Sequence, residues 1–197
     1  MTVEEIYWEN RYSQGGNSGL GSIGKMGDFK AIVINSFLKD NNVNTVLEFG
    51  VGDGLQLKKL KINNYVGTDI SLKAIQLCQE KFKDDNTKVF KLVQEYLDEI
   101  AECTMSLDVI YHIIDEDIFC GYMQRLFNSS TKYVIIYASD FSAPQFGHEY
   151  RRKFTDWVEK HTTEDWKLLM YIPNEFPYDE ITGDGSYSNF FIYEKRS

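Results

Sequence analysis

The residues best placed to do chemistry lie in the run Val46–Gly54, VLEFGVGDG. An apolar, strand-like stretch ends at Phe49, and glycines follow at positions 50, 52 and 54. Glycine lets the chain turn sharply and leaves bare backbone for a ligand to lie against. The free N–H groups of a following helix would point at that ligand. Asp69 ends the next apolar run, YVGTD, where an open α/β sheet sets a carboxylate against a ribose. Neither signal says much alone; coupled, they call for an adenosine-containing cofactor. The dinucleotide fingerprint G-x-G-x-x-G/A fails here, because Leu55 holds its last position. Glu48, just before the loop, would repel a pyrophosphate but suits a cofactor carrying an ammonium and a sulfonium. Its alternative reading is a strand-end carboxylate satisfied by nearby backbone N–H groups.

A second group of residues could handle an acceptor. His148, Arg151, Arg152 and Lys153, with Tyr150 among them, concentrate positive charge in a chain whose formal net charge is -9. Read as the opening of a helix, these cations oppose the helix dipole, and a bound anion would offset that conflict. Arginine's planar fork also matches phosphoryl oxygens. Tyr150, Arg151 and Arg152 are therefore the expected acceptor ligands, with a solvated helix face paired to Glu149 or Asp156 as the alternative. His148 and His112 are the candidate general bases, needed if the acceptor is a hydroxyl. His112 reads equally well as a structural histidine bonded to backbone, and His161 as a surface residue complementing a helix C-terminus. The run Asp115–Asp117 reads as helix capping, and no metal site is expected. Tyr7, Trp8, Arg11 and Tyr12 precede the Gly/Ser-rich stretch 15–27, so residues 1–40 read as a helical lid or cap whose hinge is glycine-rich. Ser18 or Ser22 would offer it hydroxyl contacts. The plainer reading has Tyr7 and Trp8 packing the leading helix onto the sheet.

The elements that must position these groups follow from periodicity. Helices are expected at about residues 3–11 and 29–39, the second burying Phe29, Ile32, Val33 and Phe37. Beyond residue 41 strands and helices alternate: NTVLEFG, a helix at DGLQLKKLK, YVGTD, a Ser71-capped helix burying Leu72, Ile75, Cys78 and Phe82, then TKVFKLV and LDVIYHII. A helix with Ile118, Phe119, Tyr122, Met123, Leu126 and Phe127 on its apolar stripe leads to KYVIIYA, followed by a helix at residues 150–161. WKLLMYIP and NFFIYEK follow with no helix between them and should form an antiparallel hairpin at the sheet edge. This rhythm gives an α/β fold with a doubly wound, mostly parallel seven-stranded sheet, residues 41–197 forming one Rossmann-like domain.

Composition sets outer bounds. At 197 residues, 43 % hydrophobic and 26 % charged, the chain has the profile of an ordinary globular domain. Its acidic balance argues against nucleic-acid and anionic-membrane partners. The three cysteines are too scattered for a disulfide framework. Without a basic-then-apolar leader or a long apolar run, the chain is expected in the cytoplasm.

The Glu48–Gly50–Gly52–Gly54 motif, Asp69, SLDVIYHIIDED and the terminal hairpin together resemble class I S-adenosylmethionine-dependent methyltransferases. The resemblance implies S-adenosylmethionine as cofactor and S-adenosylhomocysteine as product. It implies that Asp69 holds the ribose hydroxyls, that the glycine loop with Gly50 and Gly52 passes beneath the methionine part, that Glu48 and Ile70 are further cofactor contacts, and that Gln94, Glu95 and Tyr96 meet the adenine, with either Gln94 or Glu95 as the polar contact. Tyr12, Arg11, Ser22 and Tyr111 join them as expected cofactor contacts. The leader YWENRYSQGGNSGLGSIG and HEYRRKFTDWVE are similar to small bacterial capsule- and glycan-modifying methyltransferases, some acting on capsular phosphoramidate. The implied acceptor is a small anionic molecule. A neutral sugar hydroxyl, or a catalytically silent partner subunit, are the rival readings, and oligomeric state is not legible.

Overall fold

A computed structural model describes residues 2–96 and 98–196, which fall into two compact units, Met1–Glu102 and Cys103–Ser197. In the first unit, α1 (Val3–Ser13) starts at a reciprocal cap. The Thr2 hydroxyl accepts from the Glu5 N–H, and the Glu5 carboxylate accepts from the Thr2 N–H. After a single 3-10 turn, α2 (Gly24–Asp40) buries Met26, Phe29, Ala31, Ile34, Phe37 and Leu38. The expected stripe is rotated: Ile32 is 66 % exposed, while Lys30 is 1 % exposed. A polarity pattern puts lysine outside, so the true face was offset by the one charged residue it contains.

Strands β1 (Thr45–Phe49), β2 (Asn64–Asp69) and β3 (Lys88–Leu92) pair in parallel, Glu48 lying opposite Gly67. The helix expected after the glycine loop is only a 3-10 turn, Leu57–Lys59, because β2 begins too soon for more. α3 (Leu72–Lys81) is capped by Ser71, whose hydroxyl accepts from the Ala74 N–H. It buries Ala74, Ile75 and Cys78, whereas Leu72 is 48 % exposed in the first turn.

The next strand is β4 (Ala101–Leu107), earlier than expected, and the apolar VIYHII run is a turn, with a 3-10 segment at Ile110–His112. Asp108 breaks the strand with a φ of 59°. Its carboxylate accepts from the Tyr111 and Ser188 hydroxyls at 3.0 and 2.9 Å. β4 escapes a hydrophobicity reading because Thr104 and Ser106 are buried within it. Their hydroxyls are satisfied by the Leu126 carbonyl and the Tyr122 hydroxyl.

In the second unit, α4 (Glu116–Asn128) is capped by Asp115 and buries Phe119, Met123, Leu126 and Phe127. β5 (Ser130–Ala138) pairs antiparallel with β7 (Asn189–Lys195), which pairs antiparallel with β6 (Trp166–Ile172). α5 spans Phe154–His161, so Arg151 and Arg152 precede the helix and do not open it. His161 Nδ1 lies 2.8 Å from the Trp157 carbonyl, and its ring stacks on the indole. The strand order β3-β2-β1-β4-β5-β7-β6 makes one seven-stranded, mixed sheet ending in the antiparallel hairpin. Among the described residues no helix is long and apolar enough to cross a membrane.

Candidate functional site

In the first unit the glycine loop is anchored before it can hold anything. The N–H groups of Gly50 and Val51 both donate to the Thr68 carbonyl, and the Gly52 N–H donates to Asp69 Oδ2 at 2.9 Å. Gly50, Gly52 and Gly54 all have φ between 60° and 87°, which L side chains rarely adopt. A Cβ on Gly52 would stand 2.3 Å from Ser18 Oγ and 2.9 Å from the Tyr12 hydroxyl. The bare loop is thus a close-fitting cradle, with the N-terminal segment against it. The Cys78 thiol donates to the Gly52 carbonyl from α3.

Asp69 is buried at the end of β2, its second oxygen accepting from the Ser71 N–H at 2.9 Å. Burial raises its carboxyl to about 6, against the lowering effect of the Ser71 and Gly52 N–H groups. Ile70, half-buried, follows it directly. Glu48 is directed elsewhere than a bare strand-end carboxylate would be. Gly67, opposite it in β2, has no side chain, so the Tyr65 ring lies across that gap and its hydroxyl donates to Glu48 at 2.5 Å. Burial pushes Glu48 up to about 7, opposed by the Tyr65 hydroxyl and the field of buried Lys30. Its partner is therefore a phenol and not a backbone N–H. Gly67 was the one sequence signal pointing to it.

The other expected cofactor contacts spread around the loop. Tyr12 is buried, stacks on Trp8, and its hydroxyl lies 3.2 Å from Ser18 Oγ. Ser18 Oγ donates to Asp53 Oδ1 at 2.7 Å and accepts from the Asp53 N–H at 3.1 Å. Ser18 is thus the hydroxyl on the loop, while Ser22 is buried in the 3-10 turn Leu20–Ser22. Asp53 was not anticipated. Arg11 donates to the Asn17 carbonyl and the Tyr7 hydroxyl, organising the leader itself. Glu9 fastens α1 to α3 through the Ser71 hydroxyl and the Lys73 N–H. Of the residues expected at the adenine, Gln94 Nε2 donates to Glu5, whereas the Glu95 carboxylate accepts from the Leu92 N–H. The Tyr96 ring tilts against Phe49 at 5.6 Å.

These residues fit S-adenosylmethionine. Bare loop backbone, a strand-end carboxylate for ribose hydroxyls, and a flank of carboxylates from Glu48, Asp53 and Asp69 favour a cationic sulfonium and disfavour a pyrophosphate. When bound, that cofactor supplies an electrophilic methyl group.

In the second unit a cavity of about 310 Å³ has Tyr111, Ser139, Glu149, Arg151, Tyr178, Tyr187 and Ser188 among its lining residues. Tyr111, expected at the cofactor, is placed here. Arg151 donates to Glu149 at 2.7 Å, and its guanidinium lies 4.8 Å over the Tyr187 ring. Tyr187 stacks on Tyr178 at 4.3 Å. Ser139 is 2 % exposed, and its hydroxyl has no hydrogen-bond partner among the described residues. Neither Ser139 nor the tyrosine pair carries a sequence signal, since distant loops bring them together.

Arg152 is engaged elsewhere. Its guanidinium donates to the Ile113 and Ile114 carbonyls at 2.7 and 2.6 Å and to Glu116 at 2.8 Å, and lies over the Tyr150 and Phe119 rings. Tyr150 thereby serves as a platform for Arg152. His112 Nδ1 lies 3.3 Å from the His148 carbonyl, and the two rings stack 5.0 Å apart.

Residues 47–135 match a family described as "Methyltransferase domain". No curated protein matches the sequence. Among solved structures, the N-methyltransferase NodS from Bradyrhizobium japonicum WM9, in complex with S-adenosylhomocysteine, is similar with a TM-score of 0.74 and 12 % identity, covering 99 % of both chains. The magnesium protoporphyrin IX methyltransferase ChlM from Synechocystis PCC 6803, with S-adenosylhomocysteine bound, is similar with a TM-score of 0.68 and 15 % identity, again covering 99 % of both chains. The methyltransferase domain matched over residues 47–135, together with a fold shared with methyltransferases crystallised with S-adenosylhomocysteine, supports an S-adenosylmethionine-dependent methyltransferase.

Proposed function

We propose that the methyl acceptor is a small anionic molecule bound in the second unit's cavity, its charged oxygen held by Arg151. The observation carrying this reading is that Arg151 and the unpartnered, buried Ser139 both line this cavity. A buried hydroxyl without a partner is costly, and an acceptor oxygen would complete it. Arg151 takes the role that sequence reasoning gave mainly to Arg152, because the Arg152 donors are engaged by Ile113, Ile114 and Glu116. The stacked Tyr178–Tyr187 pair offers a flat apolar face suited to a sugar ring. A capsular or glycan-linked phosphoryl or phosphoramidate group, the acceptor implied by the sequence resemblance, has this combination of anion and sugar.

An oxygen already anionic needs no general base. The residues' task is to fix it at near-attack distance and exclude water. S-adenosylmethionine, when bound, would supply the electrophilic methyl group, and Arg151 and Ser139 would hold the acceptor oxygen for its transfer. The test measures transfer of labelled methyl to sugar phosphates, phosphoramidate monoesters and neutral sugars. Turnover is expected with the anionic acceptors, and Arg151→Ala should raise the acceptor KM while leaving S-adenosylhomocysteine affinity unchanged. Preferred turnover of neutral sugars, or an unchanged KM in Arg151→Ala, would overturn the reading and return His148 to the role of base.

A further inference from the structure

We propose that His112, His148 and Glu149 form a binding site for one divalent transition-metal ion. One ligand atom from each lies within 4.8 Å of the others. Bonds from an ion to imidazole nitrogen or carboxylate oxygen are about 2.0–2.2 Å long, so ligand atoms around one ion stand roughly 3–4 Å apart. Rotation of these half-buried side chains spans the difference. The imidazole planes are nearly parallel, 11° apart, with centroids 5.0 Å from each other.

The backbone sets the two ligand-bearing segments against each other. Mutual hydrogen bonds between Phe146 and Glu149, at 2.9 and 3.0 Å, close a two-residue turn over Gly147 and His148. Gly147 takes a φ of 59° there. The Tyr150 N–H then donates to the Tyr111 carbonyl at 2.7 Å, clamping this turn to the 3-10 segment that carries His112. His112 Nδ1 sits 3.3 Å from the His148 carbonyl. An N–H donated at that position leaves the lone pair on Nε2, the arrangement by which outer hydrogen bonds orient metal-binding imidazoles. Arg151 plays the corresponding part for the Glu149 carboxylate, donating at 2.7 Å.

Two imidazoles and one carboxylate suit zinc, cobalt, manganese or iron better than magnesium or calcium, which favour all-oxygen shells. Three protein ligands leave coordination positions open. Because Glu149 also lines the cavity, such an ion would add positive charge beside Arg151 for an acceptor oxygen. That last role rests on the anionic-acceptor reading; the binding of the ion does not.

The experiment titrates Co2+ into the tag-free, chelator-stripped full chain with neither cofactor nor acceptor present. One equivalent should bind, giving visible d–d bands without thiolate charge-transfer absorption. His112→Ala and His148→Ala should each weaken binding by at least the roughly 10–100-fold that loss of an outer-shell partner costs. Cys120→Ser should leave it unchanged. Glu149→Gln keeps the side chain's size and hydrogen bonding, so its weaker binding decides the question if a histidine variant fails to fold. Failure to bind one equivalent, indifference to all three ligand substitutions, or thiolate charge transfer would overturn the site. Any of those failures leaves the Arg151 KM test standing, and a failed Arg151 test leaves the cobalt titration standing.

Discussion

Replacing Gly52 by Ala probes how the leader and the glycine loop fit together. The substituted residue must keep a φ of 60°, a left-handed conformation costing an L residue about 1–2 kcal/mol. Its Cβ would also stand 2.3 Å from Ser18 Oγ, so the serine must leave its place against Asp53. Losing that charged hydrogen bond costs about 1.5–3 kcal/mol. Gly52→Ala should therefore destabilise the protein by about 2.5–5 kcal/mol, a large share of the 5–15 kcal/mol typical of a folded domain. Ser18→Ala alone should cost only the hydrogen-bond part. In the double variant that bond is already gone, and the alanine replacing Ser18 would present only its Cβ, 3.3 Å from the new methyl. The double variant should thus match Gly52→Ala, falling short of additivity by about 1.5–3 kcal/mol. Guanidinium denaturation of the four proteins measures this coupling, and calorimetric titration with S-adenosylhomocysteine should show weakened binding in both Gly52 variants. Effects that add to within about 0.5 kcal/mol would refute the contact between leader and loop.

Three further outcomes follow from the described geometry. Asp69, raised to about 6 by burial, is the anion above that pH and neutral below it, and ribose hydroxyls donate best to the anion. S-adenosylhomocysteine affinity should accordingly fall as pH is lowered through about 6, a slope that calorimetry should find abolished in Asp69→Asn. The raised carboxyls of Asp69 and Glu48 act oppositely on the ligand-free fold. Their stabilising contribution is complete below the ordinary carboxylate range and lost as pH rises through about 6 and about 7, so Glu48→Gln should flatten the upper part of a stability–pH profile. Arg152→Ala should lower stability by about 2–4 kcal/mol by stranding the Ile113 and Ile114 carbonyls, with little change in acceptor KM. Unchanged stability with a raised KM would return Arg152 to the acceptor site.

The sequence by itself determined whatever depends on neighbours along the chain. The glycines at 50, 52 and 54 and the carboxylate of Asp69 are legible because a turn at a strand end demands those residue types locally. The terminal hairpin is legible because two apolar runs flank a turn-rich loop with no helical period between them. Side-chain hydroxyls ended that legibility at β4, where buried Thr104 and Ser106 broke the apolar pattern while VIYHII imitated it. Lys30 did the same to α2, since a buried cation facing Glu48 looks like solvent exposure from sequence alone. Tertiary structure alone decided which groups are available for binding. Adjacent arginines look equivalent along the chain. Arg152 is engaged by carbonyls of residues 113 and 114, whereas Arg151 lines a cavity with Ser139 and Tyr187. The imidazoles of His112 and His148, 36 positions apart, became neighbours only through the backbone clamp between Tyr150 and Tyr111. Hydrogen-bond partners brought together by chain crossings leave no periodic trace in a sequence, because each is chosen by proximity in space and not by spacing along the backbone.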